Sequence, residues 1–285
     1  MDPAPDADVL VVGAGAAGLM AALFAARGGA RTLLLERTPD GGRKILISGG
    51  GRCNVLPGTF RPGAYVTASS PNTLRRILRS WPLAEQRTFF QEELGIRLKH
   101  EEDGDKLFPV SDRARDVRDA LVEAVRDAGA AIHFDRTVTG IETQGAASGG
   151  GPETGPAWRV ETEEGITYGA RALVVATGGL SVAATGSDGR GLAWARRLGH
   201  VVHETYPALT PLLADPPVHA HLAGVSLVSE LSAGARKPLR VQGGFLFTHR
   251  GYSGPAVLDV SHVAVRSLLA GGERAPIRVD WTGEG

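Results

Sequence analysis

The sequence predicts an α/β fold: a parallel-sheet domain opened by a strand–turn–helix–strand unit, followed by a second, mostly β domain. Three observations carry this expectation. The apolar, β-branched run DVLVV (8–12) leads directly into GAGAAG (13–18) and an Ala- and Leu-rich helical stretch that ends at Gly28-Gly29. A second apolar run, RTLLLE (31–36), ends on an acidic residue and closes a unit of about thirty residues. Beyond about residue 200 the pattern changes to short strands and Pro-rich joints with little helix. The expected domains are therefore 1–200 and 201–285.

After the opening unit, residues 38–63 read as loop, dense in Gly, Pro, Arg and Asn. Residues 71–94 read as two helices broken near Trp81-Pro82, and RLKHEEDGDKLFP as a hairpin turning at Asp103-Gly104. Ser111 is the expected N-cap of a long amphipathic helix with Val117, Leu121 and Val125 on one face, ending at Gly129. AIHF is a further strand. TVTGIET and AWRVETEEG read as antiparallel neighbours joined by the low-complexity surface loop QGAASGGGPETGP. RALVVATGG returns as a buried strand ending in glycines, and SDGRGLAWARRLGH follows as a helix. In the second domain SGPAVLDVSHVAVRSLLAGG reads as a helix and IRVDW as a strand.

Composition narrows the function classes. The chain has 285 residues, with 31 Lys and Arg against 31 Asp and Glu, so no global charge draws it to nucleic acid or an anionic membrane. Arg75, Arg76 and Arg79 do cluster on one expected helix, as a solvated face or a contact to RNA or phosphate. The single cysteine, Cys53, excludes an intrachain disulfide and a CxxC thiol reductase. The acidic, Pro-rich start does not read as a signal peptide, and the glycines inside VLVVGAGAAGLMAALFAA argue against a membrane span. A cytoplasmic protein is expected. No Walker loop, GxSxG elbow or zinc-type Cys pattern is present, and His219 and His221 read as loop histidines rather than metal ligands.

Gly13, Gly15 and Gly18 form GxGxxG between a strand and a helix, the context of a Rossmann-like dinucleotide site. Gly13 allows the tight turn, Gly15 lets the backbone approach pyrophosphate, and Gly18 lets helix pack on strand. The helix N-terminus offers free N–H groups to phosphate. Glu36 is placed to accept from a ribose 2′-OH and would repel a 2′-phosphate, so FAD or NAD is expected rather than NADP. The second Gly-rich segment, GGRKILISGGGRCN (41–54), favours FAD, because a flavin dinucleotide needs further donors near its ring. Gly49, Gly50 and Gly51 permit close approach, and Arg43, Lys44 and Arg52 supply cations beside pyrophosphate or the ring edge. Ser48, Cys53 and Asn54 belong to the same loop. Cys53 reads as a small buried residue beside the cofactor more readily than as a redox thiol. Thr177, Gly178 and Gly179 end a late strand and return the chain past the cofactor. His249 is a candidate proton donor beside Arg250, Tyr252 and Ser253; the alternative is a turn preceding the next helix. Asp188 either caps a helix or touches cofactor. No second GxGxxG follows a strand, so any NAD(P)H is expected to bind transiently.

The segments VVGAGAAGLMAA, GRKILISGGGRCNV, KLFP with Ser111 after it, VVATGG and GGFLFTHRGYSGPAVL together resemble the BaiN/RdsA family of NAD(P)/FAD-dependent oxidoreductases. The resemblance implies an FAD-binding domain interrupted by an inserted β-rich domain. It implies FAD contacts near Ala17, Glu36, Arg37, Arg43, Lys44 and Gly49, with a backbone contact to the adenine end at Val138. It further implies reduction of a carbon–carbon double bond, in an oxo-bile acid or a uridine of ribosomal RNA, by hydride from NAD(P)H through flavin. The family pattern continues past TGEG, so a chain shortened at its C-terminus is expected. The alternatives are an amine or ketone oxidase using oxygen, and an inactive truncated flavin-binding or interaction protein.

Overall fold

The computed structural model describes residues 6–66, 70–101, 105–144, 157–235, 237–271 and 273–282. The expected turn at Asp103-Gly104, most of the loop 144–156 and the final residues 283–285 lie outside the described residues. The chain divides into two compact units, Met1–Val201 and Val202–Gly285.

The first unit begins with β1 (Ala7–Val12), α1 (Ala16–Arg27), β2 (Thr32–Leu35), α2 (Arg43–Ile47), β3 (Leu56–Pro57), α3 (Pro71–Ser80) and α4 (Leu83–Thr88). It continues with β4 (Leu98–His100), β5 (Lys106–Pro109), α5 (Ala114–Asp127), β6 (Ala131–His133), β7 (Val138–Thr143), β8 (Trp158–Thr162), β9 (Thr167–Val175) and α6 (Arg190–Arg197). Six strands form one sheet in the order β6-β2-β1-β9-β8-β7. The first four run parallel, while β8 and β7 pair antiparallel at one edge. β3, β5 and β4 make a small separate sheet.

The apolar run of β1 is explained by cover on both faces. Val11 and Leu34 pack with Leu19 and Leu23 of α1 and Val117, Leu121 and Val125 of α5. Leu10, Val12, Leu33 and Leu35 face the opposite way, into a cluster with Val160, Tyr168 and Trp194. A strand buried on both sides shows a continuous apolar run, not alternation. Each such side chain contributes about 1.5–3 kcal/mol of burial. β1 lies between β2 and β9, so the winding of the sheet reverses beside it, and a crevice opens at the carboxyl ends of strands at such a reversal.

Two expectations need correction. Residues 38–63 are not all loop, because Arg43–Ile47 form α2 and Ser48–Gly51 a tight turn. Gly42, in the left-handed region at φ 63°, starts α2, and Ile45 is buried beneath it. Ser111 does not cap α5 either. Asp112 at φ 53° turns the chain after it, and Arg113 occupies the cap position with no side-chain cap. The Ser111 hydroxyl only accepts the Arg113 N–H at 3.4 Å.

The second unit contains β10 (Leu212–Leu213), β11 (Ser226–Ala233), β12 (Leu239–Thr248), β13 (Gly251–Ser253), α7 (Pro255–Leu269) and β14 (Ile277–Asp280). Its strands form one sheet in the order β10-β13-β12-β11-β14, with antiparallel pairing throughout. Leu231, Ala233, Phe245 and Phe247 pack with Ala256, Val257 and Val260 of α7.

Candidate functional site

A cavity of about 660 Å³ opens in the first unit where the sheet winding reverses. Three chain segments at strand ends frame it: Gly13–Ala17 after β1, Glu36–Thr38 after β2, and Ala176–Gly178 after β9. The turn after β1 is tightly specified. Gly13 sits at φ 102°, and a Cβ there would lie 2.7 Å from the Ala176 carbonyl oxygen. A Cβ on Gly18 would collide with the Gly13 carbonyl, whereas one on Gly15 would meet nothing within 4 Å. Gly13 and Gly18 are thus required by the fold itself. Gly15 instead leaves open space at the N-terminus of α1, where unpaired N–H groups and the helix dipole favour an anion.

Glu36 is buried, and its carboxylate organises the turn. One oxygen accepts the Ala14 N–H at 2.6 Å; the other accepts the Thr38 N–H at 2.8 Å and the Thr38 hydroxyl at 2.7 Å. Arg118 supports the next step of the chain from α5. Its guanidinium is buried and donates to the carbonyls of Asp40 and Gly41 at 3.2 and 3.3 Å. Those bonds present α2, whose Arg43 and Lys44 line the cavity. Arg43 pairs with Asp40 at 3.5 Å.

At the far end the lining is made by Arg37, Arg136, Thr137, Val138, Asp188, Arg190 and Trp194. Arg37 pairs with Asp188 at 2.8 Å, and Arg190 donates to the Val138 carbonyl at 3.0 Å. Burial works to raise the Asp188 pKa. The Arg190 N–H, the Arg37 hydrogen bond and the charges of both arginines outweigh it and hold the carboxyl below its ordinary range. Arg136 Nε is buried without a hydrogen-bond partner, so this end retains an unmet donor beside the cavity.

Of the residues expected at the site, Gly13, Gly15, Ala17, Glu36, Arg37, Arg43, Lys44, Ser48, Cys53, Asn54, Val138, Thr177 and Gly178 line this one cavity. Gly18, Gly49, Gly50, Gly51, Arg52 and Gly179 do not. Gly49 is needed for packing, since a Cβ would press on the Phe108 ring at 2.6 Å. The reading of Arg52 as a cation at the cavity needs correction. One of its guanidinium nitrogens bonds Glu101 at 3.0 Å and the group lies 4.4 Å over the Phe108 ring, so it is drawn to a carboxylate and an aromatic face outside the cavity lining. Cys53 is buried at φ 67°; burial raises its pKa, and a hydrogen bond with Ser48 lowers it in part. His249 is exposed in the turn between β12 and β13 of the second unit. His219 bonds the Tyr252 hydroxyl at 2.8 Å, and no metal-holding group of His, Cys, Asp or Glu occurs among the described residues.

Sequence reasoning missed Thr38, Arg118, Arg136, Ser187 and Trp194. Arg118 had a signal, because helical spacing places it with Leu121, Val122 and Val125 on the buried face.

A model of one protein family, described as the HI0933-like protein Rossmann domain, matches residues 7–272. The chain belongs to this family. Its motifs had pointed to the same group. The chain's relatives include the ribosomal RNA dihydrouridine synthase of Escherichia coli strain K12, 33% identical over 89% of this chain and 60% of that protein. They also include the 3-dehydro-bile acid delta(4,6)-reductase of Clostridium scindens, 30% identical over 96% of this chain and 64% of that protein. The chain thus spans roughly three fifths of the length of the curated relatives it matches. Among solved structures, the 3-ketosteroid-delta4-(5alpha)-dehydrogenase of Rhodococcus jostii RHA1 is similar at 18% identity and TM-score 0.45, covering 81% of this chain and 59% of that one.

Proposed function

We propose that this chain is the FAD-binding part of an oxidoreductase that reduces a carbon–carbon double bond. The observation that carries the reading is the cavity at the end of β1. It joins an open glycine cradle at a helix N-terminus to a buried carboxylate at the end of β2. That combination suits an adenine dinucleotide, with pyrophosphate at Gly13–Ala17 and ribose beside Glu36. Arg136, Thr137 and the Val138 backbone would hold the adenine end, and the unmet Arg136 Nε fits a ligand acceptor there. Arg43, Ser48, Cys53 and Asn54 would flank the opposite end. When bound, FAD supplies hydride transfer from NAD(P)H to an electron-poor double bond. The protein's part is to orient the dinucleotide, exclude water from the apolar lining and place charge beside it.

The names of the relatives suggest two substrate classes, a ribosomal RNA base and an unsaturated bile-acid-like small molecule. His249 is the candidate proton donor, and by the family resemblance residues 201–285 would belong to a β-rich domain inserted in the FAD-binding one. No helix among the described residues is long and apolar enough to cross a membrane. An oxygen-using oxidase is the competing reading; comparing oxygen uptake with NAD(P)H consumption separates the two.

The test is the absorption spectrum of the purified chain before and after adding FAD. A flavin band that travels with the protein through gel filtration is expected. A folded protein that carries no band would refute FAD binding by this chain.

A further inference from the structure

Residues 178–188 form one wall of the cavity, contributing Gly178, Thr185, Gly186, Ser187 and Asp188 to its lining. This wall has little apolar anchorage, because Leu180 and Val182 are 56% and 54% exposed. Its backbone is also unfavourable in places. Val182, a β-branched residue, sits at φ 50°, which costs about 1–2 kcal/mol. Something outside the segment must hold it.

Two cations that also line the cavity do so. Lys44 Nζ, on α2, donates to the Ser181 carbonyl at 2.7 Å, the Ser181 hydroxyl at 3.2 Å and the Ser187 hydroxyl at 2.8 Å. An ammonium has three N–H donors, so these contacts use all of them. Arg37, just after β2, pairs with Asp188 and lies against Gly186, where a Cβ would be 3.3 Å from its Nε. We propose that Lys44 and Arg37 are positioning residues that staple segment 178–188 to α2 and to the end of β2, and that Lys44 acts there rather than as a direct phosphate ligand. Releasing the staple opens the wall and lets the dinucleotide leave. The inference rests on the FAD reading only for the identity of the ligand that the wall retains.

The hydrogen-bond count separates the two roles of Lys44. If Lys44 bound phosphate directly, Ser187→Ala would free a donor, and FAD would be held as well or better. If Lys44 is a staple, Lys44→Met releases FAD about tenfold faster and Ser187→Ala by a smaller factor, as expected for losing three and one charge-assisted hydrogen bonds in a part-exposed site. The double variant is then no faster than Lys44→Met, because that change already removes the bond Ser187 makes. Release is read from the recovery of flavin fluorescence. A second measurement needs no FAD: amide hydrogen exchange across 180–187 should accelerate in both variants while α1 and α5 stay protected. Additive effects on release, slower release in Ser187→Ala, or unchanged exchange over 180–187 would each overturn the proposal. If the wild-type chain retains no FAD, the FAD reading fails, and the exchange result alone decides the staple.

Discussion

Glu36 shows how one side chain serves both the fold and the site. Its two carboxylate oxygens already gather the Ala14 N–H and the Thr38 N–H and hydroxyl. A ribose would add to an acceptor the protein has pre-ordered, using the one of its about four lone-pair sites that is still open. Glu36→Gln keeps the shape but exchanges one acceptor oxygen for a donor, which faces N–H groups. The expected cost is about 1–3 kcal/mol of stability even without cofactor, together with weaker FAD binding. Urea unfolding of the FAD-free protein and a fluorescence titration read the two effects. Loss of binding at unchanged stability would assign Glu36 to the ligand alone. The residue was legible in the sequence because an acid closing the second strand has a known position. Its partner Thr38 was not, since a threonine two residues on carries no pattern until the backbone turns it back. Arg52 was misread for a related reason: a cation in a Gly-rich loop looks like a phosphate ligand until Glu101 and Phe108, far along the chain, are found beside it.

The turn from β1 into α1 makes a sharper prediction, because its three glycines have different duties. Gly18→Ala drives a Cβ into the Gly13 carbonyl and is expected to destabilise the protein by about 3 kcal/mol or more. Gly15→Ala meets no atom of the protein, and Gly15 lies at φ −75°, where alanine is at ease. It should leave the melting temperature within a degree or two and weaken FAD binding, since the added methyl occupies the space a phosphate needs. Equal destabilisation by both substitutions would contradict this division of roles. At this scale the sequence revealed most of the elements of the first unit, through runs of strand length and caps of glycine. It concealed α2, since five helical residues between glycines show no period to detect. It also misplaced the start of α5, because Asp112 adopts a left-handed conformation that composition does not announce.

On the scale of the whole molecule, a chain with no net charge still presents a concentrated cationic element. Helix α3 carries Arg75, Arg76 and Arg79, all exposed, and buries no residue completely. If the substrate is RNA, replacing these three arginines by glutamate should weaken RNA binding and flatten its dependence on salt by about two to three counterions. FAD binding should be untouched. Unchanged RNA affinity across a salt series would leave α3 as a solvated surface and favour the small-molecule substrate.

The arrangement of the six-stranded sheet has a consequence for how the protein is made. Of the six strands of this sheet β1 is translated before the other five, yet it pairs on one side with β2 and on the other with β9, where Val9 stands opposite Ala172. On a ribosome adding about 5–20 residues each second, the β9 side of β1 waits on the order of ten seconds for its partner. During that interval a strand reading VLVV shows an unpaired edge to the cell. Within this sheet an inner strand is therefore made first and enclosed only when β9 arrives, and its free edge favours aggregation of the nascent chain until β9 leaves the ribosome.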